Sequence, residues 1–153
     1  MKTESVTREE MVERLAEGLR RTGHRLTPQR LAICRALVES ESHPSAAEIF
    51  ERLHPAYPMM SLGTVYKTLR TLVEMGLIQE IGDAGDGAEH YDVNLQPHVN
   101  LVCTRCHAVR DMDSAAIEQV AIEVERNSGF TIRGARIVYY GICPDCANRG
   151  GAQ

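Results

Sequence analysis

No stretch of this 153-residue chain approaches the ~18 consecutive apolar residues of a transmembrane helix, so no membrane partner is expected. The segment Met1 to Glu10 is charged and lacks the apolar run of a signal peptide, which places the expected location in the cytoplasm. Neither an HExxH pair nor a phosphate-binding glycine loop is present, and without those marks of metallohydrolase or nucleotide chemistry no enzyme is expected. Acidic residues are missing from Gly18 to Val38, a run that carries Arg20, Arg21, Arg25, Arg30 and Arg35. That run suits contact with phosphate, and it equally suits a solvated helix face. Cysteine is sparse as well, with five in the chain. In a reducing compartment such cysteines point to metal rather than disulfides.

Four of those cysteines form two couplets, Cys103-Thr-Arg-Cys106 and Cys143-Pro-Asp-Cys146, separated by 36 residues. Each two-residue spacer lets a short turn aim both thiolates at one ion, and Zn²⁺ takes four such ligands tetrahedrally with no open position. A site of that kind is structural. The competing reading, a redox couplet of thioredoxin type, needs one CxxC at a helix start rather than two far apart. Cys34 is left inside an apolar helix, where it reads as a small buried hydrophobe.

The length allows one domain or two small ones, and charge divides the chain. Residues 1–82 carry eleven basic and eleven acidic side chains, whereas residues 83–153 carry six and ten, so the net −4 belongs to the second half. Helix signals organise the first half. Thr7 with Glu10 forms a capping box ahead of Met11, Leu15 and Leu19, and Thr27-Pro28 supplies a cap and an N1 proline ahead of Leu31, Ile33 and Leu37. Ser45 with Glu48 caps a short third helix, and Ser61 caps a fourth that stops near Gly76. In the fourth, Leu62, Val65, Leu69, Leu72 and Val73 share one face. Thr64, Lys67 and Thr71 point away, and Tyr66 and Arg70 flank the stripe, offering groups suited to base edges and phosphates. Leu77 to Ile81 and Glu89 to Val93 read as two strands around the turn Gly82 to Gly87. Helices followed by a hairpin make a winged helix-turn-helix.

These residues resemble the ferric uptake regulator superfamily of metal-dependent bacterial repressors over nearly the whole chain. The marks are Arg25-Leu-Thr-Pro-Gln-Arg30, His43-Pro44, Ser61-Leu-Gly-Thr-Val-Tyr66 with Thr68-Leu69, Gly76-Leu77, and the couplets within Leu101 to Cys106 and Tyr140 to Cys146. The resemblance implies an α+β protein: a winged-helix DNA-binding domain at residues 1–93 and an α/β dimerisation domain with structural zinc at residues 94–153. It implies that the helix from Ser61 enters the major groove of a palindromic operator, with Arg30 and Tyr66 touching DNA. With the exposed groups of the basic run and the fourth helix, the expected DNA-contacting set is Arg25, Arg30, Thr64, Tyr66, Lys67 and Arg70.

Strand-like runs near Val99 to Val102, Ala108 to Met112 and Thr131 to Tyr140, with a helix capped by Ser114 and carrying Ile117, Val120, Ala121 and Val124, agree with that second domain. One helix cannot cover both faces of so small a sheet, so a homodimer is expected. The resemblance further implies a regulatory metal site made by His43, Asp92, His98, Asn100 and Asp111, where the two domains meet. His98 and Asn100 alternate along a strand and leave on one face. A nitrogen and oxygen set suits Fe²⁺ or Mn²⁺, and occupancy would set the angle that fits DNA. Asn100 departs from the pattern, which usually has histidine there; His90, on the same strand face as Asp92, is a possible substitute. The lone histidines His24, His54 and His107 read as surface or hydrogen-bonded residues. Aspartate at both 92 and 111 is similar to the peroxide-regulator branch, in which bound Fe²⁺ reacts with hydrogen peroxide and a ligand histidine, here His43 or His98, is oxidised. Iron or zinc homeostasis is the alternative signal.

Overall fold

The structure, a computed structural model, describes residues 6–150. The ends of the two expected domains, residues 1–5 and 151–153, lie outside the described residues. Six helices and five strands follow one another among the described residues: α1 (Arg8–Arg21), α2 (Pro28–Glu39), α3 (Ala46–Leu53), α4 (Leu62–Glu74), β1 (Gln79–Asp83), β2 (Glu89–Asp92), β3 (Val99–Cys103), β4 (Val109–Met112), α5 (Ala116–Ser128), β5 (Ile137–Gly141) and α6 (Pro144–Gly150).

Local chemistry starts the first four helices, and stops the fourth, where the sequence predicts. Thr7 and Glu10 close both bonds of a capping box before α1, Ser45 and Glu48 do the same before α3, and Thr27 and Ser61 accept from the third backbone N–H of α2 and α4. Each bond satisfies an amide that the helix start would otherwise leave without a partner. At the far end of α4, Gly76 adopts φ +67°, and Leu77 N donates to Leu72 O at 3.0 Å. This is the left-handed stop for which glycine is suited.

One compact unit holds residues up to Glu80 together with His90–Asn94. Its core joins Leu15 and Leu19 of α1, Ile33 and Leu37 of α2, Ile49 of α3 and Val65, Leu69 and Leu72 of α4, with Ile78 and Tyr91. Gly18 lets α1 approach closely, because a Cβ there would collide with Leu77 Cδ1. Cys34 is fully buried, and burial pushes its thiol up to about 12. Leu62, expected on the packed face, is instead 37% exposed at the first position of α4.

The second unit holds Ile81–Glu89 and the chain from Leu95. Division by contact thus differs from the single expected cut after residue 93, because the hairpin turn belongs with the later residues. Ile81 and Ala84 pack on Val102, Val109 and Val138, giving this turn an apolar anchor. The three-stranded sheet has the order β4-β3-β5. β3 pairs antiparallel with β4, placing Asn100 opposite Asp111, and parallel with β5, placing Cys103 beside Gly141.

Two expectations in this unit change. The strand expected from Thr131 begins at Ile137, since Phe130 N donates to Ser128 Oγ and Ile132 N to Glu125 Oε1, so this segment is tied to α5 rather than to a ladder. Ser114 is not the cap of α5: Ala115 holds that position with no side-chain cap bond, and Ser114 Oγ accepts only from Ala116 N at 3.4 Å. On α5 only Ile117 is buried, while Val120, Ile122 and Val124 are exposed.

Candidate metal centres and nucleic-acid interface

The parallel register of β3 and β5 brings the two cysteine couplets to one end of the sheet. Thr104 N donates to Gly141 O at 2.8 Å, and the start of α6 presents Cys146 after the turn at Cys143-Pro144. All four Sγ atoms lie within 4.8 Å of one another. Zinc bonded to sulfur at ~2.3 Å in a tetrahedron requires sulfur-to-sulfur edges of ~3.8 Å; Cys106 Sγ and Cys143 Sγ are 3.8 Å apart. The donor set therefore fits Zn²⁺.

Backbone groups prepare this site electrostatically. The N–H groups of Cys106, Cys143 and Arg105 point at Cys103 Sγ and lower that thiol to about 5. Cys146 is driven the other way, up to about 12, by hydrogen bonding to the sulfurs of Cys143 and Cys106 and then by burial. One sulfur thus favours the thiolate, whereas another holds its proton more tightly, and a metal bound there displaces it.

Sequence reasoning overlooked two supports. Arg105 Nη1 donates to Cys146 O at 3.1 Å, tying the first couplet to α6. His107, the one non-glycine residue with positive φ among the described residues (+60°), has Nδ1 3.0 Å from Ala84 O in the hairpin turn. Their placement within or beside a CxxC is the available signal, but their partners lie far away in sequence.

The expected nitrogen and oxygen ligands form pairs inside each unit. In the first, His43 Nε2 stands 3.4 Å from Asp92 Oδ2, both side chains buried, while Asp92 Oδ1 accepts from Asn94 N at 2.8 Å. In the second, His98 Nε2 stands 3.5 Å from Asp111 Oδ1. His98 Nδ1 is 2.7 Å from Gln96 O. A carbonyl only accepts, so Nδ1 carries the ring proton and the lone pair of the neutral ring lies on Nε2, facing the carboxylate. Two electron-rich atoms at this separation call for a cation, a second ring proton or a metal ion. Asn100 is buried opposite Asp111, and its Oδ1 has no hydrogen-bond partner among the described residues. An amide oxygen in that state fits a hard divalent ion.

The expected DNA-contacting residues all lie in the helical unit. Tyr66, Lys67 and Arg70 are exposed on α4; Thr64 is half-buried, with Oγ1 3.0 Å from Ser61 Oγ. Thr71 is half-buried too, where the periodicity predicts an outward residue. Arg25 is exposed before α2, and Arg30 Nη1 donates to its carbonyl at 2.6 Å, which fixes the Arg30 guanidinium in place.

A winged helix joined to an α/β unit that gathers four thiols defines a class, the winged-helix metalloproteins. Within it, the chain belongs to the ferric uptake regulator family, whose pattern matches residues 21–140. The peroxide-responsive repressor PerR of Staphylococcus epidermidis is 34% identical over 133 residues, covering 87% of this chain and 88% of that protein. Among solved structures, PerR from Streptococcus pyogenes, described for peroxide sensing and gene regulation, is 36% identical with a TM-score of 0.51, covering 89% and 92% of the two chains. The Helicobacter pylori ferric uptake regulator, at 21% identity, shares the fold with a TM-score of 0.77 over 92% of this chain and 94% of that one.

Proposed function

We propose that this chain is a metal-dependent transcriptional repressor that responds to peroxide. Cys103, Cys106, Cys143 and Cys146 hold a structural Zn²⁺, one per subunit. His43, Asp92, His98, Asn100 and Asp111 hold a regulatory Fe²⁺ or Mn²⁺. The observation that carries this reading is the buried Asn100 Oδ1, which has no hydrogen-bond partner among the described residues and lies opposite Asp111, whose carboxylate stands 3.5 Å from His98 Nε2. Aspartate at both acidic positions supports the peroxide signal, as does the likeness to peroxide-responsive repressors. When bound, Fe²⁺ would supply one-electron reduction of hydrogen peroxide, and His43 and His98 would be the ligand imidazoles open to oxidation.

DNA is engaged by Tyr66, Lys67, Arg70 and Thr64 of α4, with Arg25 and Arg30 on the phosphates. A palindromic operator and a homodimer follow from matching twofold symmetry, and the uncovered stripe of α5 supports a second copy. In this reading the chain is a regulator, not an enzyme, and acts in the cytoplasm.

The test loads the protein with Fe²⁺ or Mn²⁺, adds hydrogen peroxide, and follows both retention of an operator selected from genomic fragments and the peptide masses. The expected outcome is loss of retention with one oxygen atom added at His43 or His98, in the iron form alone. Unmodified histidines with unchanged retention reject peroxide sensing. Retention that tracks metal supply and ignores peroxide favours iron or zinc homeostasis.

A further inference from the structure

We propose that His90 is a positioning residue for the regulatory centre: it does not ligate the metal but locks the backbone of His43, so that the His43 imidazole is presented to it. This rests on the functional reading above. His90 is 5% exposed on β2, and its Nδ1 lies 2.6 Å from the carbonyl oxygen of His43. Because a carbonyl cannot donate, Nδ1 is the protonated nitrogen and is committed to that bond.

Two further contacts make this a registered attachment rather than a single bond. His90 forms an isolated antiparallel bridge with Ser45, and Tyr91 N donates to Pro44 O at 3.1 Å. Residues 43–45 therefore run alongside β2. They belong to the short connection between α2 and α3, where Pro44 offers no N–H of its own to hold the backbone. The same strand carries Asp92, whose Oδ2 faces His43 Nε2. Residues 90 and 92 leave a strand on one face, so β2 supplies the carboxylate and, two residues earlier, the bond that fixes its imidazole partner. The experiment below separates this positioning role from the substitute-ligand role expected for His90, since a bond at Nδ1 leaves the choice between them to Nε2.

Outer groups that orient a ligand typically govern metal affinity by about 10- to 100-fold. The experiment measures Mn²⁺ affinity by competition with a chromophoric chelator, and the visible spectrum of Co²⁺ at the same site, in zinc-replete full-length protein. His90→Leu removes the donor and is expected to weaken Mn²⁺ binding about tenfold and to alter the Co²⁺ bands. His90→Asn keeps an N–H at similar reach and is expected to behave as wild type. His90→Leu binding like wild type overturns the proposal, as does His90→Asn binding as weakly as His90→Leu. If the Leu variant does not fold, nitrogen-15 NMR of wild type decides: on filling the site with diamagnetic Zn²⁺, the ring nitrogens of His43 and His98 shift while Nε2 of His90 does not. A ligand-type shift at His90 overturns the assignment. Asp92→Ala separates the two levels: binding unchanged there defeats the regulatory-site reading itself, whereas binding lost there with His90→Leu unaffected defeats only the positioning role.

Discussion

In the proposed reading, Arg30 and Tyr66 would divide the work of recognition by side-chain chemistry. A guanidinium held against the Arg25 carbonyl keeps a fixed charge near the start of α2, whereas the exposed Tyr66 phenol stands on α4 with an apolar ring and a hydrogen-bonding tip. Arg30→Ala is expected to weaken binding to all DNA sequences alike and to reduce the salt slope by about one. Tyr66→Ala is expected to flatten preference between operator variants. Fluorescence anisotropy against a salt series checks both, and unchanged slopes and preferences would remove these residues from the interface. Legibility at this scale follows range. The caps at Thr7, Thr27, Ser45 and Ser61 were readable because donor and acceptor lie three residues apart. The role of His90 was not, since its bond reaches back 47 residues to His43.

Among the elements, β3 carries the most. It places Asn100 against Asp111 on one neighbour and Cys103 beside Gly141 on the other. Removing zinc is expected to unfold this sheet, because structural zinc contributes roughly 10–16 kcal/mol of apparent binding energy against a net domain stability of about 5–15 kcal/mol. Calorimetry before and after chelation, with Cys146→Ser as control, checks this. Any residual structure in stripped protein carries a pH signature. Cys103 titrates near 5 when folded, below its ordinary value of 9. The unfolded chain therefore binds the extra proton between those values, and stability rises with pH across that window and is lost as pH falls through 5. Melting temperatures that fall from pH 5 to 8 would contradict the thiolate assignment. The couplets themselves were readable, since a two-residue spacer already restricts the geometry. The first half of the expected strand at Thr131 was misread: its residue types suit a ladder, but Ser128 and Glu125 bind its amides first.

For the whole molecule, the exposed apolar residues of α5 are the surface that the proposed second copy would cover. Burying a valine or isoleucine side chain contributes about 1.5–3 kcal/mol. Val124→Asp is accordingly expected to weaken self-association at least about tenfold, measured by sedimentation velocity over a concentration series. A dimer of unchanged affinity would place the contact elsewhere. Sequence pattern pointed toward such a partner because one helix is too small a cover for the sheet. It did not reveal that the hairpin turn packs with the later strands, since Ala84 meets Val102 and Val109 only through tertiary packing.

The same-direction pairing of β3 and β5 leaves one more effect. Between the couplets the chain travels 36 residues before it returns, so the sulfur knot fastens an unusually long tether. When metal is restored to the unfolded sheet, β5 is on a leash long enough for a neighbouring molecule's β3 to take it in place of its own. Refolding on zinc at high protein concentration is thus expected to trade strands between copies, which sedimentation would register as added mass.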